Sequence, residues 1–141
     1  MTPETLKIVM VDPDPNITGP VQEYFARTGM KVFVAESRQE ALTEIREAAP
    51  HVVILERKLP DIDGLALCRQ LKGDEGTKQI PIIFLTALDD VVDKVLGLEA
   101  GASAYITKPF SLRELDAWIK AVHRARNLDY PSTIQELPGE F

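Results

Sequence analysis

Polar side chains that could together bind a cation and an anionic oxygen group follow four apolar runs of the sequence. Asp12 and Asp14 come after the first run, Glu56 follows the third, Thr86 follows the fourth, and Lys108 comes shortly after the fifth. Carboxylate oxygens are ligands for hard cations such as Mg²⁺, and a lysine ammonium is a compact counter-charge for phosphate oxygens. If these side chains converge, they form a site for a divalent cation and a phosphoryl group.

Each of these residues also has an ordinary structural explanation. Asp12 and Asp14 are favourable helix N-caps and turn residues, and a threonine after a strand is commonly part of a turn. Only the joint pattern, with these residue types in this order, favours a binding site over a set of polar loops.

The apolar runs predict the elements that would bring these residues together. They are short, nearly unbroken in hydrophobicity and mostly rich in β-branched or aromatic residues, which is typical of strands buried on both faces of a parallel sheet. Apolar residues at helical spacing fill the intervals between them. The predicted strands cover residues 6–11, 31–35, 52–55, 82–85 and 104–106.

Five strands alternating with five helices predict an α/β fold, a doubly wound five-stranded parallel sheet of the flavodoxin-like (βα)5 type. In such sheets the functional crevice lies at the carboxyl ends of the strands, which is where the polar residues stand. Ser37 with Glu40, and Ser111 with Glu114, have the spacing of capping boxes at helix starts. The single cysteine, Cys68, lies in an apolar pattern and is expected to be a core thiol.

Length and charge restrict the class of protein. The length of 141 residues favours a single domain. The chain has 16 basic and 22 acidic residues and a net charge of −6, and this acidic balance argues against a free-standing nucleic-acid binder. No apolar run approaches the roughly 20 residues of a membrane span, and the N-terminus lacks a signal-peptide core, so we expect a cytoplasmic protein. Residues 1–127 are predicted to form the domain, and residues 128–141 a C-terminal tail or a linker to an effector domain outside this chain.

The sequence resembles the receiver domain of two-component response regulators over roughly residues 6–126. The matching stretches are KIVMVDPDP, HVVILERKLPDIDGLALCRQLK, IPIIFLTA and DKVLGLEAGASAYITKPFSLREL. The last stretch is most like the branch whose receivers precede a winged-helix DNA-binding domain. The resemblance implies a role in signal transduction or transcription regulation rather than an enzyme, with DNA contacted only through the effector domain.

In that family an acidic pair after the first strand and an aspartate after the third bind Mg²⁺, and this aspartate accepts a phosphoryl group from a histidine kinase. By position, the acidic pair falls at Asp12 and Pro13, and the acceptor falls at Glu56. The resemblance also implies four phosphate-site and switch residues, with a cis peptide before the proline. These residues are Thr86, Tyr105, Lys108 and Pro109.

Two of these positions depart from the family pattern. Pro13 has no side-chain oxygen, and Glu56 carries its carboxylate one methylene further out than an aspartate. Because phosphoryl transfer depends on in-line positioning and charge neutralisation, we expect a very poor acceptor, no cofactor, and weak or absent Mg²⁺ binding at the remaining Asp12. The longer carboxylate could instead reach Thr86 or Lys108 and partly mimic the activated state.

Lys58, two residues after the acceptor position, is a candidate substitute for the metal ion. We expect Lys58 or Lys108 to neutralise Glu56 and Asp12 without Mg²⁺, and the simpler alternative is that Lys58 extends into solvent. An aspartate-to-glutamate change is also a common engineered substitution, whereas Pro13 favours natural divergence.

Regulators of this branch commonly dimerise through the face formed by the fourth helix, fifth strand and fifth helix, so the resemblance implies a homodimer through that face. Trp118 replaces an arginine that meets two acids in the family, and those acids are Ser103 and Ala104 here. Trp118 either anchors a more apolar interface or packs at the edge of the core. The other candidate interface residues are Lys94, Glu99, Glu114 and Lys120.

Three functions remain open from the sequence. The first is a receiver-like module that signals by dimerisation or by docking a kinase or another regulator protein, largely without phosphorylation. The second is a phosphorylatable, Mg²⁺-dependent receiver that accepts phosphate from a histidine kinase, and the third is a flavodoxin-like domain that binds a small molecule. Pro13 and Glu56 favour the first function, and the lack of a Gly-rich loop after the first strand disfavours the third.

Overall fold

The computed structural model describes residues 5–127. Five strands alternate with five helices along the chain, and the strands form a single parallel sheet. The sheet has the strand order β2-β1-β3-β4-β5, and every pair of neighbours is parallel. The strands are β1 (Lys7–Val11), β2 (Lys31–Ala35), β3 (Val52–Leu55), β4 (Ile82–Thr86) and β5 (Ala104–Thr107). The helices are α1 (Pro15–Arg27), α2 (Arg38–Ala48), α3 (Gly64–Gly73), α4 (Val91–Glu99) and α5 (Leu112–Asn127). The predicted fold class is therefore confirmed.

Apolar side chains alternate between the two faces of the sheet, since successive residues of a strand point to opposite sides. Val53 and Leu55 of β3 pack with α2 and α3, whereas Val52 and Ile54 pack with α1 and α5. The central strands β1, β3 and β4 are almost entirely buried, as the unbroken apolar runs predict. The outer strands β2 and β5 are only partly buried, because each has a neighbour on one side only.

Side-chain caps start the helices close to where the sequence predicts. Asp14 Oδ1 accepts the N–H of Asn16 at 2.9 Å, so Asp14 has its expected structural role as the N-cap of α1. Ser37 caps α2 by accepting the N–H of Glu40 at 3.2 Å. The Glu40 carboxylate binds the N–H of Glu36 rather than that of Ser37, so only half of the predicted capping box forms.

Strand ends differ slightly from the prediction, because β4 extends to Thr86 and β5 to Thr107, and these two residues pair. Cys68 is a core thiol as expected, and burial raises its pKa to about 11. No helix within residues 5–127 is both long enough and apolar enough to cross a membrane. The predicted tail, residues 128–141, lies outside the described residues.

Candidate functional site

Four of the predicted site residues meet at the carboxyl edge of the sheet. Backbone hydrogen bonds continue past the strands and fix their positions: Glu56 N–H donates to Val11 O at 2.9 Å, and Lys108 N–H donates to Thr86 O at 2.8 Å. Asp12 N–H donates to the carbonyl at the end of β2, also at 2.9 Å. The residues that carry the candidate chemistry are therefore held by the ends of the parallel ladder, as the sheet topology predicts.

The Lys108 ammonium is the centre of this site. Its Nζ lies 2.8 Å from Asp12 Oδ2 and 2.8 Å from Glu56 Oε1, so one cation bridges two carboxylates. The side chains of Asp12 and Glu56 are only 3% and 9% exposed, and that of Lys108 is 15% exposed. Buried charges are stable only when they are paired and hydrogen-bonded, and this bridge provides both conditions.

The second oxygen of each carboxylate is also bound. Asp12 Oδ1 accepts the N–H of Asp14 at 2.9 Å, and Glu56 Oε2 accepts the N–H of Lys58 at 3.0 Å. All four carboxylate oxygens thus have protein donors, and neither carboxylate depends on solvent or an ion for its charge.

The ionisation of the cluster follows from these contacts. Burial raises the pKa of Glu56, but hydrogen bonds from Lys108, Thr86 and the Lys58 N–H outweigh it and leave the pKa lowered. Burial lowers the pKa of Lys108, but the two carboxylates outweigh it and leave the pKa raised. Both groups are therefore charged at neutral pH.

Acid should weaken this cluster. Because the pKa of Glu56 is lower in the folded than in the unfolded chain, its contribution is present above the unfolded value and is lost as the pH falls through the folded value. We expect Glu56→Gln to flatten the fall in unfolding free energy between about pH 7 and about pH 3, measured by urea denaturation. The control is Glu114→Gln, an exposed position on α5, and equal pH slopes in both variants would contradict this ionisation.

Of the two lysines that the sequence offers to neutralise Glu56 and Asp12, Lys108 forms the bridge between the carboxylates and Lys58 does not. The Lys58 side chain is exposed and its backbone pairs with Asp63 in a single β-bridge, so its contact with the site is the backbone N–H to Glu56. This is the simpler of the two alternatives for Lys58. Within residues 5–127, no ion pair joins its ammonium to Asp12 or Glu56.

The donor set at this edge does not fit a magnesium ion. Mg²⁺ requires several oxygen ligands in near-octahedral geometry, usually including carboxylates. Pro13 offers no side-chain oxygen, Asp14 is exposed and caps α1, and the oxygens of Asp12 and Glu56 already accept protein hydrogen bonds. Among the described residues, no group of three or more His, Cys, Asp or Glu side chains is arranged to hold a metal.

The predicted switch residues connect this edge to α4. Thr86 Oγ1 accepts the N–H of Leu88 at 3.3 Å, and the Tyr105 hydroxyl donates to Leu88 O at 2.7 Å. The half-buried Tyr105 ring lies 5.7 Å from the ring of Phe84 and packs so closely on Gly97 that a Cβ there would be 2.7 Å from it. The peptide bond before Pro109 is cis, as the resemblance implies.

Arg57 is a residue to which the sequence reasoning assigned no role. Its side chain is only 6% exposed although it directly follows Glu56, and it contacts Asp63 and Asp93. The available signal was its position: alternation along β3 directs residue 57 to the face opposite Glu56, under α4.

The predicted interface face, formed by α4, β5 and α5, exposes part of its apolar side chains. Trp118 is 41% exposed, which is compatible both with an interface anchor and with a residue packed at the edge of the core. Lys94, Glu99 and Glu114 are exposed too, while Lys120 pairs with Asp116 on its own helix at 3.3 Å. Four apolar side chains on α4 are between 45% and 74% exposed, namely Val91, Val92, Val95 and Leu98.

Comparisons with known proteins agree with the fold and the residue pattern. The model of the response regulator receiver domain family matches residues 8–120. The alkaline phosphatase synthesis transcriptional regulatory protein PhoP of Bacillus subtilis is 40% identical over 127 residues, which is 90% of this chain and 52% of that protein. The DNA-binding response regulator MtrA of Mycolicibacterium smegmatis is 40% identical over 126 residues, or 89% of this chain and 54% of that protein. The chain therefore spans about half the length of these curated relatives.

A solved structure gives the same result in three dimensions. The BeF3-activated N-terminal receiver domain of Klebsiella pneumoniae RstA superposes with a TM-score of 0.78 at 36% identity. The match covers 84% of this chain and 98% of that one.

Proposed function

The chain belongs to the response regulator receiver domain family, and from this premise we propose that it is an atypical receiver that acts in signal transduction or transcription regulation largely without phosphorylation. The observation that carries the proposal is the Lys108 ammonium, which lies 2.8 Å from both Asp12 and Glu56. At this place the family has a metal ion and a phosphoryl group, and here a lysine of the chain neutralises both carboxylates.

Glu56 is a poor phosphoacceptor in this proposal for three reasons. Its carboxylate is displaced by one methylene, both of its oxygens are held by Lys108 and the Lys58 N–H, and Pro13 removes an oxygen ligand. Transfer needs an in-line nucleophile and a neutralised phosphoryl group. Weak or absent Mg²⁺ binding is therefore part of the proposal.

The contacts of Tyr105 support a resting state that resembles the activated one. Its hydroxyl is bound to Leu88 O, and its ring packs inward against Phe84 and Gly97. Leu88 also donates to Thr86, which lies beside Glu56 and lowers its pKa. In this proposal the Glu56 carboxylate takes part of the place of a phosphoryl group, without its full charge.

The relatives carry names of transcriptional regulators, so we propose that this chain is the receiver part of such a protein. A histidine kinase or another regulator protein would dock on it in the cytoplasm. DNA would be contacted only through an effector domain outside this chain.

The direct test is incubation with acetyl phosphate and Mg²⁺, read by intact mass. We expect no phosphoryl adduct on the unsubstituted protein. The matched control is the double variant Pro13→Asp with Glu56→Asp, which restores both acids of the family pattern and should gain an adduct. A stoichiometric adduct on Glu56 would contradict the proposal, and so would saturable Mg²⁺ binding seen in the amide shifts of Asp12.

A homodimer through α4, β5 and α5 is the second part of the proposal. The exposed apolar side chains of α4 and Trp118 of α5 are available for contact with a second copy. Apolar and aromatic side chains of this kind are typical of interface cores. The charged candidates Lys94, Glu99 and Glu114 are exposed on the same helices and could form the polar rim of such an interface.

Replacement of Trp118 tests this interface. Trp118→Arg should weaken association on the order of thirtyfold, about 2 kcal/mol, because the arginine loses the ring's contact area. It also lacks the family's acidic partners, which are Ser103 and Ala104 here. Sedimentation measures the change, with the exposed α2 variant Arg46→Ala as control, and unchanged association in Trp118→Arg would exclude Trp118 as an anchor.

A further inference from the structure

Arg57 carries a buried positive charge whose contacts lead away from the Glu56 site. Its Nε lies 3.4 Å from Asp63 Oδ1, and its Nη1 lies 3.3 Å from Asp93 O and 3.8 Å from Asp93 Oδ1. Asp63 is the N-cap of α3, and Asp93 lies in the first turn of α4. One guanidinium therefore connects the starts of two helices.

The backbone around Arg57 is held in place independently of its side chain. Arg57 O accepts the N–H of Gly64 at 2.8 Å, and Lys58 pairs with Asp63 in a β-bridge. The loop between β3 and α3 thus closes on itself, and the guanidinium projects from a fixed base. A fork of donors on a fixed base loses little freedom when it binds.

Helix α4 buries only a small part of its surface. Gly97 is buried and Leu96 packs partly buried against the core, whereas four of its apolar side chains are exposed. Its N-cap residue Asp90 makes no side-chain capping bond. Since helices are mostly held by burial of an apolar face, a charge-assisted contact from Arg57 at the first turn has a large share in fixing α4.

The same guanidinium lies beside the Tyr105 hydroxyl. Burial raises the pKa of Tyr105, and the neighbouring Arg57 partly offsets this by lowering it. Tyr105 also packs on Gly97 of α4, so Arg57 reaches both the start of α4 and the ring that supports its middle.

We propose that Arg57 is a positioning residue that fixes the start of α4, the helix on which the Tyr105 ring packs, against the β3–α3 loop, and so sets the shape of the exposed α4 surface from inside the fold. This role of Arg57 deepens the proposed function. It rests on that function only in treating the α4 surface as the face that signals. In this proposal the arrangement of α4 depends on the guanidinium of Arg57 and not on phosphorylation of Glu56.

The test compares Arg57→Met, which keeps an unbranched apolar stem without the charge, with Arg57→Lys, which keeps the charge without the fork. Amide exchange measures α4, and fluorine NMR of fluorotyrosine-labelled protein measures Tyr105, whose signal is assigned with Tyr105→Phe. We expect Arg57→Met to speed exchange in α4 on the order of tenfold and to shift the Tyr105 signal, with Arg57→Lys between it and the unsubstituted protein. The control Arg46→Met, exposed on α2 and outside the proposed interface, should change neither readout.

Exchange in β1 and β3 separates positioning from general destabilisation. A residue that only stabilises the fold would speed exchange in these strands as much as in α4, and that result would overturn the proposal. Unchanged α4 exchange and an unchanged Tyr105 signal would overturn it as well. If Arg57→Met does not fold, Arg57→Lys and Asp93→Ala decide by the same two readouts. An acetyl phosphate adduct on Glu56 would defeat the proposed function while leaving these readouts unaffected.

Discussion

Lys108→Met is expected to lower the free energy of unfolding by about 3–5 kcal/mol, the usual cost of removing one partner from a buried ion pair. The substitution leaves the carboxylates of Asp12 and Glu56 without a cation although both are at least nine-tenths buried. Both oxygens that faced the ammonium lay 2.8 Å from one nitrogen, so the two negative charges also repel each other once it is gone.

Urea denaturation at about pH 7 measures this loss, and Lys78→Met is the matched control. The Lys78 ion pair with Glu75 is an i,i+3 pair whose side chains are 41% and 87% exposed, so its removal should cost no more than about 1 kcal/mol. A loss in Lys108→Met as small as in the control would contradict the bridging role.

The pH dependence of Lys108→Met should also be weaker. Burial raises the pKa of Glu56, and the Lys108 hydrogen bond is the first of the contacts that outweigh it, so the variant should lose less stability in acid once that contact is gone. The unsubstituted protein loses stability over the same range, because the pKa of Glu56 is lowered there.

Gly64→Ala is expected to cost about 2–3 kcal/mol, as overpacking at a rigid contact does. A Cβ on Gly64 would overlap the carbonyl oxygen of Glu56 and lie 2.9 Å from Arg57 Cα. Both are backbone atoms next to the hydrogen-bonded end of β3, so neither can move aside as a flexible side chain would. The strain would also displace Glu56 from Lys108.

Gly73→Ala at the end of α3 is the control for Gly64→Ala. Apart from its chain neighbours, nothing lies within 4 Å of a Cβ added to Gly73, and the substitution should leave the stability unchanged or raise it by up to about 1 kcal/mol. Chemical denaturation of both variants gives the comparison. If Gly64→Ala is as stable as the unsubstituted protein, the loop does not pack on β3 as described.

Much of the fold follows from local patterns in the sequence. The runs that became β1, β3 and β4 are buried on both faces, and Asp14 caps the helix that the sequence predicts after it. These features depend on neighbouring residues in the chain, so periodicity and capping chemistry are enough to predict them. The partial burial of β2 could be predicted only from the strand order, because the order places β2 at an edge of the sheet.

The partners of the site's charges could not be predicted in the same way. Lys58 stands two residues from Glu56, yet the ammonium that reaches Glu56 belongs to Lys108, 52 residues away along the chain. A long side chain has several rotamers, and which one is occupied depends on where the other strand ends are. The ion pairs of Arg57 could not be predicted for a related reason, since its partners lie on the β3–α3 loop and on α4.

The sequence by itself determined the alternation of strands and helices, the set of polar residues at the strand ends, and the two departures at Pro13 and Glu56. Only the tertiary structure decided which cation neutralises the carboxylates and where the charge of Arg57 goes. The physical reason is range: hydrophobic periodicity and capping act over a few residues, whereas the bridge from Lys108 to Asp12 spans 96 residues and exists only after the sheet has formed.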